Sequence, residues 1–192
     1  MDRHLTSWYS PSLQKEMPVA VYGHYGFALL LIPTAAADYL EYERFQLIDS
    51  IRPYIESGKV KVFSIDSINN ESWMNRQMEP RHQAIRHQQW NEYVFNEVIP
   101  FIKTHTSADT PIIVSGASFG ALHSANLFFR RPDLINGCLA MSGVYDLTEY
   151  THGYFDEDVY YNSPAHYLPN LSDHGVLEQI RKSHHIHFLS GS

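Results

Sequence analysis

Pro111-Ile-Ile-Val-Ser-Gly-Ala-Ser-Phe-Gly-Ala-Leu-His-Ser-Ala-Asn-Leu-Phe-Phe-Arg-Arg131 is the stretch around which the rest of the chain is organised. Ile112, Ile113 and Val114 form a short β-branched apolar run behind Pro111, the pattern of a buried parallel strand. Gly116-Ala117-Ser118-Phe119-Gly120 follows at once, and a small-residue segment with helical character begins behind it. A strand, a Gly-x-Ser-x-Gly turn and a helix together make a sharp turn that holds its serine in a strained conformation. The pentapeptide alone is a weak signal, because many strand-to-helix turns are glycine-rich. With an apolar strand before it and a helix after it, Ser118 becomes a candidate nucleophile. The question is then whether the chain supplies a base, an acid and donors for a developing oxyanion.

The chain of 192 residues suits one domain with a sizeable core. Hydrophobic residues make up 44% and charged residues 18%, an ordered globular composition. A formal net charge of -7 offers no basic stripe for phosphates and argues against nucleic acid as a partner. The single cysteine, Cys138, excludes an intramolecular disulfide and fits a reducing compartment. The first twenty residues lack the apolar core of a signal peptide, and the run Phe27–Pro33 is too short to span a bilayer. The expectation is a cytoplasmic protein with no membrane partner.

Twelve histidines raise the question of a metal. His184, His185 and His187 lie in a strand-like run in which alternation sends His185 and His187 to one face and His184 to the other. No His-Glu-x-x-His spacing and no second cysteine accompanies them, so no metal site is assigned. No Gly-rich phosphate loop is present, and no cofactor is expected.

Along the chain, Leu5–Leu13 reads as an edge strand and Glu16–Tyr22 as a half-buried strand with Met17, Val19 and Val21 on alternate positions. Gly23-His-Tyr-Gly26 then turns into the continuously apolar Phe27–Ile32, which predicts an antiparallel hairpin between these two strands. Pro33-Thr-Ala-Ala-Ala-Asp38 leaves that strand as a small-residue loop. Phe45, Ile48, Ile51 and Ile55 predict a helix closed by Gly58, and Val60–Ile65 predicts the next strand, completing a right-handed crossover. Asp66–Pro80, with Trp73, Met74 and Met78, lines a cleft or covers the surface. A long helix is predicted over Arg81–His105, with Ile85, Trp90, Val94, Phe95, Val98 and Ile102 on its apolar face and His82, Arg86 and His87 on its solvated side. After the helix at Phe119–Arg130 come a strand near Cys138–Met141, a Tyr- and His-rich segment Thr148–Pro169, a helix His174–Lys182 and a strand His184–Leu189. The aromatic segment shapes a pocket or lid, or covers the sheet edge. The fold class is α/β: a mostly parallel sheet with helices on both faces and an N-terminal antiparallel hairpin.

These stretches resemble the esterase D-like branch of the α/β-hydrolases, a group that includes many bacterial esterases. The resemblance runs through Leu31-Ile-Pro-Thr34, Asp38-Tyr-Leu-Glu-Tyr-Glu43, Ile65-Asp-Ser67 with Trp73, Arg81 to Phe101, Gly116–Gly120, Met141-Ser-Gly-Val-Tyr-Asp146 and Asn162-Ser-Pro164 with Tyr167-Leu-Pro169. It implies a serine carboxylic-ester hydrolase in which Ser118 attacks a small-molecule ester and forms an acyl-enzyme. It implies oxyanion donors at the amide of Phe119 and at that of Ala35 or Thr34. In this branch the acid follows the strand matching His184–Leu189 and the base histidine comes later still. The chain ends before either position, so the expectation is a piece of a longer esterase. Asp146, beyond a strand end, and His152, which follows it, are the stand-in acid and base within the chain. His123, five residues beyond Ser118, is assigned to packing. A catalytically silent hydrolase-like binding module and an acyltransferase are the alternatives. A sheet edge left exposed at the last strand implies a homodimer through edge pairing.

Overall fold

The computed structural model describes residues 1–191. Among them seven strands form one sheet in the order β1-β2-β4-β3-β5-β6-β7. They are β1 (Arg3–Ser10), β2 (Lys15–Tyr22), β3 (Phe27–Ile32), β4 (Val60–Ile65), β5 (Ile112–Ala117), β6 (Gly137–Met141) and β7 (His185–Leu189). β1 and β2 form an antiparallel hairpin, β2 runs antiparallel to β4, and β4, β3, β5, β6 and β7 are mutually parallel. The architecture is the α/β sheet with an N-terminal hairpin that the sequence implies.

The hairpin itself is a different one. β2 and β3 do not pair, because β4 lies between them. Gly23 and Gly26, at φ 87° and 114°, carry the chain across the start of β4. A Cβ on Gly26 would stand 2.3 Å from the Lys59 carbonyl carbon, so the turn rests directly on the β4 backbone. The hairpin is made instead by β1 and β2, in register from Arg3 opposite Tyr22 to Ser10 opposite Lys15.

Between β3 and β4 the expected single helix is three short ones: α1 (Glu41–Arg44), α2 (Leu47–Ser50) and α3 (Arg52–Glu56). Gln46 at φ 63° breaks the run. Ile48 and Ile55 are buried as expected, whereas Phe45 is 76% exposed. The second long helix is present over residues 80–105, as α4 (Pro80–Tyr93), a π-helical turn (Val94–Val98) and α5 (Ile99–His105). Pro100 has no N–H for the ladder, which explains a widened turn just before it. Trp90, Val94, Val98 and Ile102 are buried as expected, but Ile85 is exposed and His87 fully buried. The remaining helices are α6 (Phe119–Arg130), α7 (Glu157–Asn162), α8 (Pro164–Tyr167) and α9 (His174–Lys182).

Alternation along β3 divides the core. Ala28, Leu30 and Ile32 join the cluster built with Trp90, Val94 and Ile102 from the α4–α5 run and Ala121, Ala125 and Phe128 from α6. Leu31 faces the opposite side, with Ile48 and Ile55 from α2 and α3. The connection leaving β3 therefore runs over one face and the connection leaving β5 over the other. In an open α/β sheet, adjacent strands whose connections diverge in this way open a crevice at their C-terminal ends. The loop Pro33–Asp38 and Ser118 both lie there. Toward β7 the second face is less covered. Leu29, Ile113, Leu139, His185 and His187 line an apolar trough of about 440 Å³. His185 and His187 share that face, as their alternation requires.

Candidate active site

Ser118 sits between β5 and α6 at φ 56°, ψ -120°, a conformation costly for a residue with a side chain. Its N–H donates to the Met141 carbonyl at 2.9 Å, and its carbonyl accepts from Ala121 and Leu122 in the first turn of α6. The two flanking glycines are required by contact. A Cβ on Gly116 would lie 2.5 Å from the carbonyl carbon of Gly120, and one on Gly120 would lie 2.3 Å from the Ile32 carbonyl oxygen. The turn thus packs onto itself and onto the end of β3 with no room for a methyl group.

A buried tyrosine joins the same two strand ends. The Tyr42 hydroxyl donates to the Ile32 carbonyl at 2.8 Å and accepts from the Ala117 N–H at 3.2 Å. Burial pushes this phenol up to about 12, so it keeps the proton that the Ile32 contact needs. Next to it, buried Glu41 accepts from the Thr34 N–H at 2.8 Å and the Thr34 hydroxyl at 2.6 Å. Asp66 accepts from the Tyr39 N–H at 2.7 Å and is raised to about 6, chiefly by burial. The loop after β3 is therefore held by side chains at both ends. Thr34 and Ala35 fare differently in it: the Thr34 N–H is engaged by Glu41, while the Ala35 N–H has no acceptor among the described residues. Phe119 opens α6, where first-turn N–H groups have no intrahelical partner.

The expected Asp146–His152 pair is not formed. Asp146 accepts instead from His166 Nε2 at 3.1 Å, and from the Thr148 N–H and hydroxyl at 2.8 and 2.7 Å. Burial raises this carboxyl, but the Thr148 and His166 hydrogen bonds outweigh it and hold it below its ordinary value. His152 is exposed, at φ 50°, on the rim of a cavity of about 300 Å³. Ser118 Oγ has no hydrogen-bond partner among the described residues. No group of three His, Cys, Asp or Glu side chains among them is arranged to hold a metal ion.

Beneath the turn lies a chain of buried polar groups. The Trp73 indole N–H donates to His87 Nδ1 at 3.0 Å, His87 Nε2 meets His123 Nδ1 at 3.1 Å, and His123 Nε2 meets Asn69 Oδ1 at 2.8 Å. An indole only donates, so His87 carries its proton on Nε2 and hands the same polarity to His123. Both rings are neutral. Desolvation drives His87 well below its ordinary value, helped by His123 and Arg130, and drives His123 to about 3. The packing role expected for His123 is thus joined to a directional hydrogen-bond chain linking the 66–79 loop, α4 and α6.

Comparison with known proteins places this geometry in a family. A family model described as Putative esterase matches residues 10–173. The chain belongs to that family. Solved structures of similar fold include an S-formylglutathione hydrolase from Staphylococcus aureus, with TM-score 0.62 and 14% identity over 98% of this chain and 78% of its own. A ferulic acid esterase gives TM-score 0.68 at 12% identity, over 99% of this chain and 90% of its own. An S-formylglutathione hydrolase from Agrobacterium tumefaciens gives 0.69 at 14%, over 98% and 85%. At such identities these likenesses concern the fold, which is of the α/β-hydrolase type. The search of curated protein sequences gives no match. Among the described residues no helix is long and apolar enough to cross a membrane.

The buried histidines make stability depend on acid. Their folded pKa values lie below the unfolded value of about 6.5, so between about pH 6.5 and 3 the unfolded chain binds more protons and stability falls as pH falls. Urea unfolding at stepped pH is expected to show this decline, shallower in His123→Leu because one proton-binding group is gone. An equally steep acid limb in that variant would count against the buried-neutral assignment.

Proposed function

We propose that this esterase-family chain is a serine carboxylic-ester hydrolase scaffold with Ser118 as nucleophile. The observation that carries the reading is the positive-φ backbone at Ser118, forced by glycine contacts on both sides and set at the crevice between β3 and β5. Ser118 Oγ attacks the ester carbonyl carbon, and the tetrahedral oxyanion takes N–H donors from Phe119 and Ala35. Thr34 is disfavoured as the second donor because its N–H already serves Glu41. One such donor is worth about a hundredfold or more in rate. Collapse expels the alcohol and leaves the acyl group on Ser118. Water then attacks the acyl carbon, releasing the acid and restoring the hydroxyl.

Both steps need a base for the Ser118 or water proton. The acid–histidine pair on the same end of the sheet is Asp146–His166, and it makes no hydrogen bond to Ser118. The unpartnered Ser118 hydroxyl is the observation that favours the second reading, a catalytically silent hydrolase-like binding module. A fluorophosphonate probe separates them: labelling in the wild type that is lost in Ser118→Ala supports the enzyme. Absent labelling, or labelling unchanged in Ser118→Ala, would overturn it.

A cytoplasmic location accords with the buried free thiol of Cys138. β7 pairs with β6 alone among the described residues and leaves Phe188 and Leu189 about half exposed. This supports self-association through the β7 edge into a homodimer. Light scattering is expected to give twice the chain mass, and a monodisperse monomer would contradict the proposal.

A further inference from the structure

β7 divides its side chains between two unlike surroundings. Ile186 and Phe188 turn to the α6 side: Ile186 packs against the main core cluster, and the Phe188 ring is stacked 6.1 Å from that of Phe129. His185 and His187 lie on the other face, where they border the apolar trough of about 440 Å³. Both are exposed, and neither ring has a hydrogen-bond partner among the described residues. Their neighbours on β6 are Gly137 and Leu139, which offer no polar side-chain atom. Among the described residues no other polar side chain lines the trough. Two imidazoles thus stand side by side on a surface that gives them nothing to bind.

Neutral imidazole is the commonest side-chain metal ligand, and residues i and i+2 of a strand share a face about 7 Å apart. One chain therefore offers half of a four-coordinate site. The β7 edge can bring the other half. An edge strand pairs antiparallel with its own copy about a two-fold axis perpendicular to the sheet, so that residue i faces j and j faces i. Side chains directly opposite in such a pair lie on one face, with Cβ atoms about 4.5–5.5 Å apart. Every symmetric antiparallel register therefore puts the histidines of both copies on the same face. The register centred on Ile186 sets His185 opposite His187 of the partner subunit, twice. Four rings then surround one point beside the trough, a ligand number and type that zinc accepts.

We propose that His185 and His187 form half of a transition-metal site, completed by the same pair from a second copy docked at the β7 edge. This rests on the edge-dimer reading, which it deepens by making the interface metal-dependent. No group of three ligands exists among the described residues of one chain, so the site is complete only in the pair. His184 does not line the trough and takes no part. An all-imidazole site suits Zn²⁺, Cu²⁺ or Ni²⁺, whereas Mg²⁺ and Ca²⁺ take oxygen ligands.

The test is sedimentation velocity of the full chain over a concentration series near neutral pH, in EDTA and in Zn²⁺. Zn²⁺ is expected to tighten the dimer by about tenfold or more, with one ion bound per two chains. His185→Ala and His187→Ala are expected to lose that gain while keeping the dimer seen in EDTA, and His184→Ala to retain it. Both rings are exposed and unpartnered, so the changes leave no group unsatisfied, and unchanged circular dichroism establishes that the variants are folded. Mg²⁺ in place of Zn²⁺ is expected to leave the dimer as it is in EDTA. A dimer equally strong in EDTA and in Zn²⁺, or a Zn²⁺ effect undiminished in folded His187→Ala, would overturn the metal site and leave the edge reading standing. A monomer under both conditions would overturn both.

Discussion

The contact on which the rest depends is the approach of Gly120 to the end of β3, where a methyl group would meet the Ile32 carbonyl oxygen at 2.3 Å. That approach brings the start of α6 against the loop after β3 and leaves Ser118 to make the turn at positive φ. Neither feature is local to the pentapeptide. The strained residue persists because the strands on both sides, β3 and β6, hold it: one through backbone packing, the other through the Ser118 N–H to the Met141 carbonyl. The sheet order adds the second condition. β3 and β5 are neighbours whose connections leave on opposite faces, so the two sets of candidate donors face one crevice.

Around that contact the interior is more polar than an α/β core requires. Tyr42 bridges Ile32 and Ala117, Glu41 takes both donors of Thr34, and the Trp73–His87–His123–Asn69 chain runs beneath the turn. Buried polar groups cost free energy unless they are paired, and here the pairing joins elements distant in sequence. What they contribute is orientation. Each ties a loop to the elements packed around the turn.

Much of the fold was legible. The helices at 119–130 and 174–182, the long helix ending at His105 and the strands at 15–22, 27–32 and 60–65 follow from apolar runs, periodicity and Pro or Gly stops. Adjacency was not legible at the N-terminus, because a Gly-x-x-Gly turn is compatible with a tight hairpin and with a step across an intervening strand. The face of α4 was misread at its start because Gln83, His87 and Asn91, which hydropathy assigns to solvent, are buried there with Ala84 and Trp90. His87 is buried because Trp73 and His123 satisfy it, partners 14 and 36 residues away that no periodicity reveals. At the candidate site Ser118 was marked by its motif. Tyr42 and Glu41 lay in a stretch that the resemblance flagged, but their contacts are tertiary. Asp146 was rightly placed at a strand end, yet its partner is His166, brought back by the turn at Ser163-Pro164 and not by chain proximity.

The central claim is that this backbone presents Ser118 as an acyl acceptor. The most direct measurement is brief exposure of the chain to an activated aryl ester, an acid quench and peptide mapping by mass spectrometry. The account predicts an acyl group on the peptide bearing Ser118. An unmodified Ser118 peptide, or acylation confined to lysines and other serines, would contradict it.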